Sequence, residues 1–576
     1  MNFRFRSSPV SSSPESAAYL AKELHIPEIA AELLGLRGIT DRQQAADFLA
    51  PKLQNLPNPF LLKDMDKAVA LVCKAMQYQW PVVVYGDYDV DGICATSLLV
   101  DFLKKLQLMV SWHVPNRLTD GYGLTSSGIQ TVSGLVKQPA LLITVDNGIS
   151  ANKEVKEAIA AGFHVIITDH HEPQGDLPAA HAVVNPKQQG CSFPFSGLSG
   201  VGVVFFLLMA LRSRCLENGY WRKQTAPNLK NYLDLVALGT VADVMPLTDV
   251  NRILVRAGSE VLTKRTRPGI WALCEEVGLQ EGRITSEDIS FRLAPRINAA
   301  GRMGSPEVAA RLFMADNVNV SQQTARILEQ QNSKRRVIEA DIVKQALVQC
   351  QKQRENGATA LVVYQGDWHP GVLGIVASRL CDQFNLPVIA LADDHEAGVV
   401  KGSGRSAGGI DLFSAVDGCK HNLLHFGGHQ QAIGLSMTSD KLDIFCRDLN
   451  ARVAALSQEG GDMSRKIIVD KLLNGSEINR DFFSFLRHLE PYGKNNPEPV
   501  FLVKDIQLQH VSLIKHVHLR FALSLNGATY HGIGFGMGEK LSLARKRVDI
   551  AFVFKHSCFR GRKRIELMAV SIEPTN

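Results

Sequence analysis

No apolar run in the 576-residue sequence approaches the roughly 20 residues that a membrane-spanning helix requires. The N-terminal stretch MNFRFRSSPVSSSPESAAY has two arginines but no apolar segment after them, so we expect no secretory signal peptide. The ten cysteines are scattered singly and form no CxxC pair, which argues against a zinc knuckle and against a disulfide framework. These absences together predict a protein of the reducing cytoplasm that has no membrane partner.

Neither sign of charge dominates the sequence. Lys and Arg number 63 against 57 Asp and Glu, which gives a net charge of +6. This charge permits a polyanionic partner but does not require one, because the distribution of charge matters more than its sum. The chain is too long for a single hydrophobic core, so we expect about two to four domains.

The pattern of apolar residues divides the chain into five segments, and the fold class that it predicts is multidomain α/β. Residues 1–45 are Ser- and Pro-rich, then helical, and we expect a peripheral N-terminal arm. Residues 46–315 alternate short β-prone runs with helical stretches, which predicts a parallel sheet covered on both faces. Residues 316–355 predict one unbroken helix of roughly 60 Å that connects two halves. A second α/β domain (356–460) follows, and then a strand-rich tail (461–576) that is typical of a small antiparallel barrel or sandwich.

Acidic residues stand where three of the predicted parallel strands end. VVVYGDYDVDG, LLITVDNGIS and VIITDHHEP each pass from a buried strand to a carboxylate, and the apolar segment LDLVALGTVADVMPL also ends in one. Ligands bind at the carboxyl ends of strands in open α/β sheets, so we expect these groups to share one crevice. They are Asp87, Asp89, Asp91, Asp146, Asp169, His170, His171 and Asp243.

Carboxylates packed this closely repel one another unless cations neutralise them. The set is rich in oxygen, includes imidazole and contains no thiolate, which favours Mn²⁺ or Mg²⁺ over a structural zinc ion. Two such ions would make a phosphodiesterase site for in-line displacement. Taken alone, DYDVDG could be a turn or a calcium-type loop, and Asp146 could belong to a turn before Asn-Gly; the convergence of four such ends favours the metal site.

Three glycine-rich segments in the second half could hold phosphate. WHPGVLGIVASRL predicts a turn that opens a helix, which is an anion site or a plain helix start. KGSGRS places Ser403 and Arg405 on what we expect to be a loop, and it lacks the Walker spacing of an ATP site. FGGHQQAIG brings His429 to the apex of a turn that is either a ligand contact or a packing turn. The tail interleaves basic residues with Phe521, Tyr530, Phe535, Phe552 and Phe559, as single-strand-binding OB-folds do.

The motifs DYDVDG, TVDNGIS, DHH and GTVADVMPL, in this order, resemble the four motifs of the DHH phosphoesterase superfamily. PNRLTDGYGL, APRINAAGR, WHPGVLGIVASRL, GSGRS and FGGHQQAIG extend the resemblance to roughly residues 80–435, and they are similar to the bacterial single-strand-specific 5′→3′ DNA exonucleases of that superfamily. LEPYGKNNPEPVF is similar to the start of the OB-fold domain of those enzymes. This chain has Asn495-Asn496-Pro497 where they usually have Gly-Asn-Pro, so we expect the turn there to be built differently.

The resemblance implies a DHH catalytic domain, a DHHA1-type substrate-binding domain and an OB-fold, and it assigns roles to individual residues. Asp146 would bridge two metal ions, His171 would face the scissile phosphate, and Asp169 would hold an imidazole in its tautomer. Related pyrophosphatases have a histidine ligand where this chain has Tyr85, so one ion would have fewer protein ligands. The implied metal ligands are Asp87, Asp89, Asp91, Asp146, His170 and Asp243. The implied DNA- and phosphate-binding residues are Arg117, Arg296, Arg302, His369, Ser403, Arg405 and His429. Of these, Arg117, Ser403 and Arg405 would hold the 5′ phosphate. We expect Arg117, Arg296 and Arg302 in loops.

The resemblance implies a two-metal exodeoxyribonuclease that degrades single-stranded DNA 5′→3′ to 5′ mononucleotides in repair and recombination. A single-strand-binding protein and a helicase would be its partners, and we expect a monomer. Two alternatives are a hydrolase of very short oligonucleotides or cyclic dinucleotides, which would lack the OB-like tail, and a catalytically inactive scaffold, which would have lost metal motifs. We expect residues 461–576 to supply affinity and processivity but no chemistry, because none of the acidic and histidine residues above lies there.

Overall fold

The structure is a computed structural model, and it describes residues 3–7, 14–116, 120–121, 123–279, 282–394, 398–460, 466–473, 477–559 and 562–575. In these ranges no helix combines the length and the apolar character that crossing a membrane demands. The fold class predicted from the sequence is confirmed: two α/β units and a strand-rich unit follow one another along the chain.

The first α/β unit contains a five-stranded parallel sheet in the order β3-β2-β4-β5-β6. Its central strands are short runs of mostly β-branched residues that are buried on both faces, as covered parallel sheets require. The elements are α4 Met65–Tyr78, β2 Val82–Tyr85, α5 Val90–Lys105, β3 Val110–His113, α6 Ser126–Ser133, β4 Ala140–Val145, α7 Asn152–Ala160, β5 Phe163–Thr168 and β6 Ala182–Val184.

A helical layer completes this unit and packs its apolar side into the same core as the sheet. Its elements are α8 Gly200–Glu217, α9 Leu233–Ala242, α10 Asp249–Lys264, α11 Pro268–Glu276, α12 Ser286–Asp288, a π-helical turn Ile289–Leu293, α13 Ala294–Met303 and α14 Glu307–Met314. Ser199 caps α8 by accepting a hydrogen bond from the Gly202 amide, 3.2 Å away.

The connecting helix α15, Val318–Glu355, is continuous over 38 residues, as the sequence predicts. At 1.5 Å per residue it is roughly 57 Å long. It contacts α11, α13 and α14 of the first unit along one part and α16 and β7 of the second unit along another. The helix therefore fixes the spacing of the two α/β units.

The second α/β unit has a five-stranded sheet in the order β10-β11-β9-β8-β7, in which only β7 and β8 pair in parallel. Its elements are β7 Leu361–Tyr364, α16 Leu373–Phe384, β8 Val388–Asp393, β9 Val399–Arg405, α17 Leu412–Asp417, β10 His425–His429, β11 Ala432–Thr438 and α18 Leu442–Gly460. WHPGVLG forms a 3₁₀ turn, Pro370–Val372, that leads into α16, so the predicted turn before a helix is confirmed.

The C-terminal unit contains a seven-stranded, mainly antiparallel sheet in the order β13-β14-β18-β19-β17-β16-β15. Its elements are β12 Ile467–Val469, β13 Lys471–Leu472, α19 Arg480–Leu489, β14 Phe501–Gln507, β15 Gln509–Ile514, β16 His518–Leu525, β17 Ala528–Gly534, α20 Leu541–Ala544, β18 Arg547–Phe559 and β19 Arg562–Pro574.

The N-terminal segment is not a peripheral arm, and that expectation is corrected. Its elements are β1 Phe3–Phe5, α1 Pro14–Leu24, α2 Glu28–Gly35 and α3 Arg42–Leu49. Leu20, Leu33 and Leu34 are buried in one core with Phe482 and Phe552 of the C-terminal unit. β1 pairs in parallel with β12. Amphipathic helices bury their apolar side against whatever partner the fold supplies, and here that partner lies more than 400 residues away in sequence.

Candidate active site

Three neighbouring strands of the parallel sheet, β2, β4 and β5, deliver acidic residues to one edge. Asp87 follows β2, Asp146 follows β4 and Asp169 follows β5, and all three are buried. Asp89 caps α5, since its Oδ1 accepts hydrogen bonds from the amides of Asp91 and Gly92 at 2.9 and 3.0 Å. The convergence predicted from the strand ends is therefore present in the structure.

Asp146 has a φ of 64°, in the left-handed region that few residues other than glycine adopt. The turn that follows β4 bends the chain sharply at this residue and places its carboxylate at the centre of the cluster. Asp and Asn tolerate this conformation better than β-branched or bulky residues do. The strained backbone at the strand end is thus tied to the position of one side chain.

Asp243 reaches the same edge from a helix. It follows the last residue of α9, a segment whose apolar residues are buried all round. Because such a helix is apolar on every side, the sequence alone does not distinguish it from a buried strand. The side chain of Asp243 is 24% exposed and Asp89 is half-buried, whereas Asp87, Asp91, Asp146 and Asp169 are buried.

His170 joins the carboxylates from the two sides of the cluster. Its Nε2 lies 3.1 Å from Asp146 Oδ1, 3.5 Å from Asp243 Oδ2 and 3.9 Å from Asp91 Oδ2. Three groups of possible ligand atoms each lie within 4.8 Å of one another: Asp91, His170 and Asp243 form one, Asp87, Asp89 and Asp146 form another, and Asp146, His170 and His171 form the third. Asp146 belongs to two of these groups, and its Oδ1 lies 3.1 Å from His170 Nε2, a member of the remaining one.

Several atoms of this cluster are buried and have no hydrogen-bond partner within the described part of the chain: Asp87 Oδ1, Asp146 Oδ1, His170 Nε2 and Asp243 Oδ2. Burial raises the pKa of Asp91 to about 7 and that of Asp243 to about 9, and neighbouring carboxylates add to both. Burial also lowers the pKa of His170 to about 3, so the imidazole is neutral and can donate a lone pair. A cluster of buried, unpaired oxygens with one neutral imidazole has the donor set that Mn²⁺ or Mg²⁺ binds.

Asp169 holds His171. Its Oδ1 lies 2.7 Å from His171 Nδ1 and accepts hydrogen bonds from the amides of His170 and His171, while Oδ2 accepts one from the Ile149 amide at 2.9 Å. Burial opposes charge on both partners, but the hydrogen bond between them lowers the pKa of Asp169 and raises the pKa of His171 to about 9. His171 therefore presents its other nitrogen, Nε2, as a proton donor.

Two glycines that the sequence reasoning missed are packed against the carboxylates. A Cβ on Gly200 would lie 2.5 Å from Asp146 Oδ1, and a Cβ on Gly239 would lie 2.5 Å from Asp91 Oδ1. The amides of Gly200 and Val201, at the start of α8, also donate to Asp91 at 2.6 and 3.1 Å. The signal was the GVG stretch at the start of α8, which reads only as a helix start without the fold.

Tyr85 is the residue expected to stand in place of a histidine ligand. The side chain is buried, packs against the His113 ring, and donates a hydrogen bond to the Gly123 carbonyl at 3.2 Å.

In the second α/β unit, Ser403 and Arg405 lie on strand β9, so the expected loop is corrected. Gly402 and Gly404 are enclosed by neighbouring strands, and close strand packing, not a turn, accounts for them. Arg405 extends towards the start of α16, where its Nη2 would be 2.9 Å from a Cβ on Gly374. His369 accepts a hydrogen bond from the Gly371 amide at 3.1 Å.

His429 ends β10 at the tip of the β10–β11 hairpin, as expected, and it is exposed. Arg296 and Arg302 lie on helix α13, which corrects the expected loop positions. Arg296 Nε lies 2.7 Å from Glu329 Oε2, and Arg302 Nη1 donates to the Gly371 carbonyl at 3.0 Å. Arg302 thus links the two α/β units. Arg117 lies outside the described residues.

The aromatic residues of the tail are divided between core and surface. Phe521 and Phe552 are fully buried in the core of the C-terminal unit, so they are not base-stacking residues. Tyr530 is half-buried and Phe535 is 57% exposed. The side chain of Phe559 lies outside the described residues. Successive residues of a strand point to opposite faces, so the presence of aromatic residues in the sequence does not show which of them face the core and which face solvent.

Comparison with known proteins follows the same order of units. Residues 81–240 match the DHH family, N-terminal domain, residues 357–455 match the DHHA1 domain, and residues 469–571 match the RecJ OB domain. The chain is 36% identical over 567 residues to the single-stranded-DNA-specific exonuclease RecJ of Dickeya dadantii, covering 95% of this chain and 96% of that one. It is 35% identical over 567 residues, with the same coverage, to the RecJ of Escherichia coli K12. The chain belongs to the RecJ family.

Solved structures of RecJ proteins agree with the fold. The crystal structure of Thermus thermophilus RecJ in complex with Mn²⁺ has a TM-score of 0.83 and 30% sequence identity, covering 100% of this chain and 80% of that one. The complex of the same RecJ with Mg²⁺ has a TM-score of 0.78 and 29% identity, covering 100% and 79%. The OB-fold expected for the tail is confirmed by the RecJ OB match. Asn495, where the resemblance leads us to expect glycine, has a φ of 61°, a left-handed backbone that glycine adopts readily.

Proposed function

We propose that this chain is an exodeoxyribonuclease specific for single-stranded DNA, which it degrades 5′→3′ to 5′ mononucleotides with two divalent ions, Mn²⁺ or Mg²⁺. The observation that carries the proposal is the group of buried carboxylates with unpaired oxygens around His170. Relatives with the single-stranded-DNA-specific exonuclease name and solved RecJ complexes with Mn²⁺ and Mg²⁺ support it.

The ligand residues would divide between two metal ions. Asp91, His170 and Asp243 would hold one ion, Asp87 and Asp89 would hold the other, and Asp146 would contact both. Two divalent ions in these positions would supply a nucleophile from water at neutral pH and stabilise the charge that develops on the phosphate.

His171 would act on the substrate itself. Asp169 holds its Nδ1, and Nε2 would donate a hydrogen bond to a non-bridging phosphate oxygen or a proton to the leaving oxygen. The side chain of His171 is 42% exposed, which gives substrate access to it. Asp169 is a positioning residue, since four hydrogen-bond donors already surround its carboxylate.

The second α/β unit would hold the strand end. Ser403 and Arg405 face the start of α16, where a helix N-terminus favours an anion, and they would bind the 5′ phosphate together with Arg117. Arg296, Arg302, His369 and His429 would contact the strand nearby. The narrow space between the two α/β units joined by α15 would exclude duplex DNA. The exposed Phe535 and half-buried Tyr530 of the OB domain would stack on bases further along the strand.

Repair and recombination are the proposed setting, in the cytoplasm, with a single-strand-binding protein and a helicase as partners and a monomer as the working form. The nine cysteines whose state is described are all free, in keeping with a reducing compartment.

The test is a time course with Mn²⁺ on long single strands labelled at either end, beside the matching duplex. A 5′ label released at once as mononucleotide, with the 3′ label retained until late and the duplex intact, is the expected result. Cleavage of di- to tetranucleotides alone would replace this function with that of a short-oligonucleotide hydrolase. Arg405→Ala should weaken binding of 5′-phosphorylated ends roughly 30-fold, because a bidentate charged contact contributes on the order of 2 kcal/mol. Strands with a 5′ hydroxyl should lose little, and equal losses on both ends would show that Arg405 only follows the backbone.

A further inference from the structure

A loop of the C-terminal unit, residues 490–498, is held against the catalytic unit. Arg283 Nη1 lies 2.7 Å from Glu490 Oε2, and Ser286 Oγ donates to the Tyr492 carbonyl at 2.6 Å. Arg256 Nη1 donates to the Glu490 carbonyl at 2.8 Å. This loop is therefore part of a fixed junction between the OB domain and the catalytic unit.

The tip of the loop is a tight turn at Gly493–Asn496. The amide of Gly493 donates to the Asn496 carbonyl at 2.9 Å, and the Asn496 amide donates back at 3.1 Å. The Asn496 side chain is buried, and its Nδ2 donates to the Leu489 and Pro491 carbonyls, each at 2.8 Å. The turn is thus fixed from inside, and its position is set by the junction.

This turn abuts the segment that follows Asp243. The Lys494 carbonyl accepts a hydrogen bond from the Leu247 amide at 2.9 Å, four residues beyond Asp243. A Cβ on Gly493 would lie 2.7 Å from Leu247 Cδ1, so a larger residue would require the Leu247 side chain to shift. The OB domain therefore meets the catalytic unit beside the segment that follows Asp243, a partly exposed acid of the cluster.

The side chain of Lys494 is exposed, on a turn whose backbone contacts the segment that follows Asp243. Within the described ranges no carboxylate forms an ion pair with Lys494, so its ammonium is available to a ligand that enters from the open side of Asp243.

We propose that Lys494, supplied by the OB domain, is a substrate-contacting residue of the active site whose ammonium binds a backbone phosphate of the DNA strand beside Asp243. The inference rests on the proposed exonuclease function. A lysine is a flexible point charge suited to a phosphate whose position changes as the strand advances.

The experiment uses the full-length chain with Lys494→Ala, the uncharged Lys494→Met and the charge-conserving Lys494→Arg. The matched control is Lys104→Ala, which removes one exposed lysine from the far end of α5, roughly 20 Å along the helix from Asp91. The first readout is the affinity of each metal-free protein for a short 5′-phosphorylated oligothymidylate, measured by fluorescence anisotropy at several salt concentrations. The second is the single-turnover cleavage rate of that strand with Mn²⁺.

Lys494→Ala and Lys494→Met should each bind the short strand about tenfold more weakly, and the salt dependence should fall by roughly 0.7 in slope, the loss of one phosphate contact. Lys494→Arg should keep both affinity and slope, and Lys104→Ala should match the unmodified protein. Unchanged binding and cleavage in Lys494→Ala would overturn the proposal.

Two other outcomes also count against it. Equal losses in all three Lys494 variants, with a lowered melting temperature, would show that the residue only supports the junction. Losses that occur with long strands but not with the short one would place Lys494 on the path to the OB domain instead of in the active site. If the unmodified protein fails to cut the strand at all, the proposed function fails instead, and the two failures are distinct.

Discussion

Replacing Asp146 by Asn should stabilise the metal-free protein at neutral pH while it abolishes cleavage. Asn is the suitable replacement because it tolerates the left-handed φ of 64° at this position, where Ala would add backbone strain. The reason for the stabilisation is charge. Asp87, Asp91, Asp146 and Asp243 are buried together, and each has a pKa raised first by burial and then by its neighbours.

The sign follows from the raised values. A carboxyl that ionises at a higher pH in the folded state than in the unfolded state loses stability for the fold as pH rises from its unfolded pKa to its folded one. For Asp91 this window runs from 3.8 to about 7. Between pH 5 and pH 7 the loss is about 3 kcal/mol, at 1.36 kcal/mol per pH unit. In a unit of this size that corresponds to roughly 6–12 °C in melting temperature.

The assay is the melting temperature at pH 5 and pH 7, with EDTA and with Mn²⁺, for the unmodified protein, Asp146→Asn and the exposed control Asp367→Asn. The unmodified metal-free protein should melt lower at pH 7 than at pH 5, and Mn²⁺ at 100 times its dissociation constant should add about 2.7 kcal/mol. Asp146→Asn should show a flatter pH dependence and little gain from Mn²⁺, whereas Asp367→Asn should behave as the unmodified protein. A metal-free protein equally stable at both pH values, or an Asn variant less stable than the unmodified protein at pH 7, would refute the reasoning.

Three further changes test the site and the junction. Asp169→Asn should lower the single-turnover rate at least tenfold with little change in KM, because it removes the anion that keeps His171 protonated. The loss of rate relative to the unmodified protein should grow from pH 6 to pH 8, and a loss that does not depend on pH would contradict this role. Gly200→Ala should abolish Mn²⁺ binding in calorimetry, because its Cβ would lie 2.5 Å from Asp146 Oδ1, and undiminished binding would show that the cluster can move. Arg252→Met should destabilise the chain by about 3–5 kcal/mol in denaturant unfolding, because it leaves one buried and two partly buried carbonyl groups without their donor. A loss under 1 kcal/mol would mean that water replaces the guanidinium.

The parts of the site that the sequence predicts are those that a strand end determines. Asp87, Asp146 and Asp169 each follow a short apolar run, and the edge of a parallel sheet brings such ends together whatever the rest of the chain does. The hydrogen bond between Asp169 and His171 was likewise within reach of the sequence, because two residues so close in the chain share it. The glycines in KGSGRS were misread, since glycine serves close strand packing as readily as it serves a turn.

Contacts between distant segments were not predictable in this way. The helices of the N-terminal segment have an apolar side, but that side does not specify its partner, and the partner is a domain at the other end of the sequence. The same holds for the contact of Lys494 with Leu247, which depends on how a loop of one unit packs on another unit. Asp243 itself is preceded by a helix that is apolar all round, which hydrophobic periodicity cannot separate from a strand.

The shared core of the N-terminal helices and the OB domain has a consequence for how the chain folds during synthesis. Ala45 emerges from the ribosome roughly 430 residues before Leu473, its distant companion in that core. At about 5–20 residues per second the apolar sides of the first helices wait roughly 20–90 s for the segment that covers them. During this interval the catalytic unit can already fold, while the apolar sides of the N-terminal helices remain exposed to chaperones. The last strands to be made therefore release the first helices from that exposure.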